Sequence, residues 1–170
     1  KRLTSGFWAE PHPGRITLVF SMGDNNEKIR RGRCLCGSIR YEVKGNPEVV
    51  AHCHCEDCQR FTGAGHSTVA MYAKQRFQIT GGRCGEFKLI AENGNEVTRV
   101  FCASCASAIY SHNSGNEAYL SVTLGTLEGS SDLKPEVSIF SRNRKPWDVI
   151  DDAVQSFDEQ PAWRPDITPG

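Results

Sequence analysis

The 170-residue sequence has no excess of charge of either sign and no long apolar run, and no apolar stretch follows its first basic residues. Twenty Lys and Arg balance twenty Asp and Glu, which argues against nucleic acid or an anionic membrane as the main partner. The longest apolar segment near the start, Ile16 to Phe20, is interrupted by Thr17 and is far shorter than the roughly 20 residues that cross a bilayer. Lys1 and Arg2 lead into Trp8, Glu10, Pro11, Pro13 and Arg15 instead of an apolar h-region, so no secretory signal is expected. No internal repeat or low-complexity tract is present. These absences point to a cytoplasmic protein with a small-molecule partner, acting on neither nucleic acid nor membrane; they say nothing of its oligomeric state.

The sequence does have cysteine, eight residues of it. In a reducing compartment disulfides are disfavoured, and the spacing points the same way. One residue separates Cys34 from Cys36, and two separate Cys102 from Cys105, as suits ligands around one ion better than long-range staples. Cys53, Cys55 and Cys58 fall within six positions. Residues two apart share a side of a strand and residues three apart share a face of a helical turn, so a strand running into a helix would converge these three sulfurs.

With 38% hydrophobic and 24% charged residues, the chain reads as one globular domain long enough to bury a core. Residues 1–30 carry no steady periodicity and read as an N-terminal arm, the first 21 of them as upstream or non-native residues if Met22 is a natural start; residues 31–170 read as the domain, with an irregular, proline-marked end. From Ser38 the pattern is alternation: Ile39, Tyr41 and Val43 interleave with Arg40, Glu42 and Lys44. Further strands are expected over 48–52, 67–72, 76–79, 86–91, 97–101, 108–110, 120–124 and 137–140, with Asn93-Gly94 as a hairpin signal. One or two helical turns are expected within 149–157. The fold class is mainly β, largely antiparallel, with few short helices.

The two close pairs, Cys34 with Cys36 and Cys102 with Cys105, stand at strand ends where a sheet can join them. Four thiolates make a closed tetrahedral site of structural type; the alternative is four small buried apolar side chains. If those four close one site, Cys53, Cys55 and Cys58 are left one protein ligand short, and an open fourth position on zinc is the usual catalytic arrangement. Cys84, His52, His54 and His66 are the remaining candidates. His54, between two ligands, would point away from a metal and reads as packing or as support to the ligands; Cys84 reads as a lone buried thiol. Arg60 suits the carboxylate of an anionic thiol, or pairs with Glu56 or Asp57 on its own turn. A redox-active cluster, in which Cys53 pairs with Cys55 or Cys58, is a further alternative, as is a non-enzymatic zinc module that binds another protein.

Three motifs carry a resemblance: Cys34-Leu35-Cys36-Gly37-Ser38-Ile39-Arg40-Tyr41, His52-Cys53-His54-Cys55-Glu56-Asp57-Cys58-Gln59-Arg60-Phe61-Thr62-Gly63-Ala64, and Phe101-Cys102-Ala103-Ser104-Cys105. In order and spacing they resemble the glutathione-dependent formaldehyde-activating enzyme family, which has zinc-binding, centromere protein V-like relatives. The resemblance runs from Gly32 to Trp163 and takes in Arg144-Lys145-Pro146-Trp147. It implies antiparallel sheets pinned by zinc, a β-tent. It also implies a structural zinc on Cys34, Cys36, Cys102 and Cys105, and a catalytic zinc on Cys53, Cys55 and Cys58 that meets glutathione. The implied reaction is a carbon-sulfur lyase type that joins glutathione and formaldehyde as S-hydroxymethylglutathione or cleaves a similar thiol adduct. Two positions depart from the family pattern: Ala106 stands where Gly is common, and Ser138 where His is common.

Overall fold

The structure is a computed structural model and describes residues 28–161. Most of the expected N-terminal arm and the last proline-marked residues lie outside them. Eleven strands and one α-helix follow in the order β1 (Ile29–Arg33), β2 (Arg40–Lys44), β3 (Val49–Cys53), α1 (Glu56–Thr62), β4 (Ser67–Ala73), β5 (Phe77–Gly81), β6 (Cys84–Ile90), β7 (Glu96–Cys102), β8 (Ala108–Asn113), β9 (Tyr119–Thr123), β10 (Val137–Ile139) and β11 (Gln155–Ser156), with three single 3-10 turns between them. The mainly β class expected from the sequence is what these residues form.

A three-stranded sheet has the order β1-β2-β5, and an eight-stranded sheet has the order β11-β10-β3-β4-β9-β8-β7-β6. Every pairing is antiparallel except those of β10, which runs parallel to both β3 and β11. Hydrophobic residues of both sheets meet in one core: Ile39, Tyr41 and Val43 beside and within β2, then Val50, Ala70, Tyr72, Leu120, Val122, Ile109 and Cys102 from the large sheet. The alternation read at Ile39-Tyr41-Val43 is therefore the inner face of the small sheet. The Asn93-Gly94 signal makes the β6–β7 hairpin, where Gly94 takes a left-handed φ of 82° and Ala91 and Asn95 close the loop at 2.9 Å.

Two segments differ from expectation. Strand β1 begins at Ile29, inside the stretch read as arm, and shows no apolar alternation because its inward residues are Arg30 and Gly32. Arg30 is buried and forks onto Asp132, Nη1 to Oδ1 at 2.8 Å and Nη2 to Oδ2 at 2.9 Å. Gly32 faces the Tyr41 ring. The second difference is at 149–157, where turns and the short strand β11 replace the expected helical turns. Asp151 is the reason: its Oδ1 accepts from the Ala153 N–H at 2.9 Å and its carbonyl from the Val154 N–H at 3.1 Å, a local turn that competes with helix.

A Cβ at Gly32 would lie 2.0 Å from Tyr41 Cζ, and Tyr41 is held in place by a 2.8 Å hydrogen bond to Thr126. Gly32→Ala is therefore expected to destabilise the domain by about 1–3 kcal/mol through overpacking, read as a lower urea midpoint; an unchanged midpoint would contradict this packing of β1 on β2.

Candidate metal centres and their surroundings

The turn between β1 and β2 carries Cys34 and Cys36, and Gly37, at a φ of +74°, lets the chain reverse there. Cys102 ends β7 and Cys105 lies in the following turn. The structure brings all four together, each within 4.8 Å of the others. Cys34 and Cys36 Sγ are 3.4 Å apart, and Cys36 and Cys102 Sγ 3.8 Å. Tetrahedral zinc with sulfur at 2.3 Å requires sulfur–sulfur edges of about 3.8 Å, so the donor set fits that ion in type and span. Backbone N–H groups point at the sulfurs, Ile39 to Cys34 at 3.2 Å and Ser104 to Cys102 at 3.4 Å. Burial raises the Cys34 thiol, but the Ile39 amide and the neighbouring Cys36 and Ser38 prevail and hold it at about 7. The Ser107 hydroxyl and amide hold Cys105 at about 5. Ser38 lowers the Cys36 thiol, but Cys34, Cys105 and burial outweigh it and raise it, so Cys34 and Cys105 are the members that favour thiolate before a metal binds. The group ties the small sheet to the large one.

Cys53 ends β3, Cys55 caps α1 and Cys58 lies in its first turn, the strand-into-helix route expected from the spacing. Cys53 and Cys55 Sγ are 3.5 Å apart, and the Cys58 N–H donates to Cys55 Sγ at 3.4 Å. Glu56 and Asp57 sit in the first turn, Arg60 in the last, and Gly63 ends the helix in a left-handed conformation, each where the helix dipole or the C-cap prefers it. Gln59 Nε2 donates to the His54 carbonyl at 2.7 Å and the Asn143 carbonyl at 3.0 Å, fixing the helix against the end of β3. By themselves the three thiols support one negative charge. Cys53 and Cys58 donate to Cys55 and hold it well below the ordinary thiol range, while donation to Cys55 raises Cys53 well above it. Cys58, lowered by Cys53 but raised more by Cys55 and burial, is pushed up to about 11. A divalent cation would reverse that competition, since coordination needs all three as thiolates.

Beside Cys58 stands a residue the sequence reading passed over. Arg99 is buried, donates from Nη2 to Cys58 Sγ at 3.4 Å and from Nη1 to Ser111 Oγ at 3.4 Å, and lies 5.3 Å over the Phe61 ring. Burial disfavours its charge, but Cys58, Cys55 and Cys53 outweigh that and its pKa is raised. Its signal in the sequence was a cation in phase with Val97 and Phe101 in β7. Val100 and Cys102, on the opposite face of that strand, belong to the core side. The two cysteine groups therefore occupy opposite faces of the large sheet.

The other candidates fall as follows. Cys84 is half-buried and pairs in register with Cys102, so it neighbours the four-cysteine group, and burial followed by Cys102 raises its pKa. Arg60 pairs with Glu56 at 2.7 Å and lies 3.8 Å from Asp57. His52, His54 and His66 cluster with one another and with Asp148. Among the described residues, no fourth Cys, His, Asp or Glu joins Cys53, Cys55 and Cys58. No helix among those residues is long and apolar enough to cross a membrane.

A family model described as glutathione-dependent formaldehyde-activating enzyme matches residues 29–143. A crystal structure of a Rhodobacter sphaeroides protein matches with a TM-score of 0.48 and 20% identity, covering 58% of this chain and 88% of that one. No curated protein matches the chain.

The two departures from the family pattern have structural counterparts. Ser138 is fully buried and its hydroxyl has no partner among the described residues. Ala106 has a φ of 58°, the left-handed region that costs an L-residue roughly 1–2 kcal/mol, and its N–H closes the cysteine turn onto the Cys102 carbonyl at 2.9 Å. Glycine there is free of that strain. Ala106→Gly is expected to stabilise the domain by about 0.5–1 kcal/mol, the part left after the entropy glycine loses on folding; a fall in melting temperature would contradict the strain.

Proposed function

The chain belongs to the glutathione-dependent formaldehyde-activating enzyme family, and from that premise we propose that it is a carbon-sulfur lyase-type enzyme that joins glutathione or a related thiol to formaldehyde, or cleaves a similar thiol adduct. In this reading Cys34, Cys36, Cys102 and Cys105 hold a structural zinc, and Cys53, Cys55 and Cys58 hold a second zinc at the reaction site. The observation that carries it is the unequal donor count: four thiols close one group, and three form the other with no fourth protein donor among the described residues. Bound there, Zn²⁺ would supply a Lewis acid moderated by three thiolates, suited to a fourth sulfur ligand.

The chain's own residues prepare that position. Cys53 is set by β3, Cys55 by its role as helix cap, and Cys58 by the first turn of α1, so the three sulfurs are placed by backbone and not by flexible linkage. Three thiolates and one divalent ion carry a net charge of −1, and an arriving thiolate makes it −2. The Arg99 guanidinium, 3.4 Å from Cys58 Sγ, offsets that charge in a buried setting where Coulomb terms are strong. In the forward direction the sulfur–carbon bond forms at the formaldehyde carbon, and the proton lost by the thiol ends on the carbonyl oxygen. In reverse, the same site stabilises a departing thiolate. Eight free cysteines suit the cytoplasm, where glutathione keeps thiols reduced. Arg60 is committed to Glu56 in this structure, so it supports the helix in this reading.

Cys55→Ser is expected to abolish glutathione-dependent activity while the domain stays folded, whereas Cys102→Ser, which opens the clamp between the sheets, is expected to unfold it. Circular dichroism together with activity separates the two, and equal loss of folding in both would overturn the division of roles. Arg99→Met is expected to weaken glutathione binding by about tenfold, about 1.4 kcal/mol, at unchanged zinc content. Unaltered affinity would remove Arg99 from the site.

A further inference from the structure

On the core-side face of the large sheet, away from Cys53, lies a group the reaction does not use. Register pairs Cys53 with Ser67, so His54, just beyond β3, and His66, just before β4, face each other across the end of two neighbouring strands. Asp148, from the turn after Pro146 and Trp147, reaches between them. His66 Nδ1 lies 2.8 Å from Asp148 Oδ2 and 3.0 Å from Oδ1, and His54 Nδ1 lies 3.2 Å from Oδ2 and 3.3 Å from the Gly65 carbonyl. One donor atom from each of the three residues falls within 4.8 Å of the others. Room for the carboxylate exists only because residue 65 is glycine: a Cβ there would lie 2.3 Å from Asp148 Cγ.

Packing does not account for this arrangement. His54 is fully buried, yet among the described residues Nε2 has no partner and Nδ1 has only the two long contacts, where a charge-assisted N–H to carboxylate bond is usually about 2.7–2.9 Å. A buried imidazole left so poorly satisfied is costly unless something else engages it. The two donor–donor spacings onto Asp148 Oδ2, 2.8 Å from His66 Nδ1 and 3.2 Å from His54 Nδ1, are close to the edges of about 2.8–3.1 Å in a six-coordinate shell with ligands at about 2.0–2.2 Å. His52, whose ring centroid is 4.3 Å from that of His66, adds a third imidazole beside the group. Two histidines and one carboxylate form a borderline donor set of the kind that takes Zn²⁺ and its neighbours in preference to Ca²⁺ or Mg²⁺.

We infer that His54, His66 and Asp148 form a further metal site, bound through nitrogen and oxygen to a borderline divalent cation such as Zn²⁺ and distinct from both cysteine groups. Such an ion would fasten the turn that carries Asp148 to the ends of β3 and β4. The inference does not rest on the proposed reaction.

The full chain, titrated anaerobically with Co²⁺, tests it. The cysteine groups report through intense sulfur-to-metal charge transfer, and this site adds one equivalent that absorbs in the visible without increasing that band. His66→Gln combined with Asp148→Asn should lose that equivalent and leave the charge-transfer intensity unchanged, which also shows that the variant is folded. Equal metal content in the wild type and the folded variant would overturn the site. Independently of any variant, crystals of the wild type grown with Zn²⁺ should show anomalous density between His54, His66 and Asp148. Filled cysteine sites with no density at this position would leave the cluster a hydrogen-bonded clip and end the proposal.

Discussion

Thiols brought this close repel one another once ionised. The fold gathers Cys34, Cys36, Cys102 and Cys105 into one group and Cys53, Cys55 and Cys58 into another, with sulfurs as near as 3.4 Å. In the three-cysteine group the competition is visible as one lowered and two raised thiols. Much else in the structure serves these two gatherings. The β1–β2 turn and the end of β7 deliver the first, with amide donors trained on Cys34 and Cys102. The end of β3 and the first turn of α1 deliver the second, with Arg99 as its counter-charge.

The two groups differ in what they can do because they differ in position as well as in donor count. The four-cysteine group lies where the small sheet meets the large one, so a metal held there would contribute to folding and leave no vacant position. The three-cysteine group lies on the opposite face of the large sheet, beyond the core, where a small thiol need not disturb the packing between sheets. In the proposed reading one sheet separates a clamp from a reaction site, and each face meets its own constraint. Family membership sets the chemical class; the donor count and the buried arginine suggest how this chain meets it.

Much of this was legible in the sequence because cysteine spacing and strand alternation are local signals. Ile39, Tyr41 and Val43 announced β2, Asn93-Gly94 announced the β6–β7 hairpin, and the three-cysteine motif announced a strand passing into a helix. What stayed hidden depended on partners distant in sequence. Strand β1 was concealed because its inward residues are Arg30, neutralised by Asp132 some hundred residues on, and Gly32, which gives way to Tyr41. Arg99 went unremarked because a cation within a strand carries no local sign of burial; Cys58 and Phe61, distant in sequence, are what give it a role. His66 looked like a candidate for the cysteine group until Asp148 claimed its ring nitrogen. The turns at 149–157 followed from Asp151 bonding to its own neighbours, a choice that periodicity cannot reveal.

The central claim is that the shell around Cys53, Cys55 and Cys58 is completed by the substrate. A crystal structure of the zinc-loaded chain with glutathione, phased on the zinc edge, tests it most directly. The account predicts the glutathione sulfur as the fourth ligand at about 2.3 Å from that zinc, with Arg99 still in contact with Cys58. A fourth ligand drawn from the protein, or a zinc site indifferent to glutathione, would contradict it.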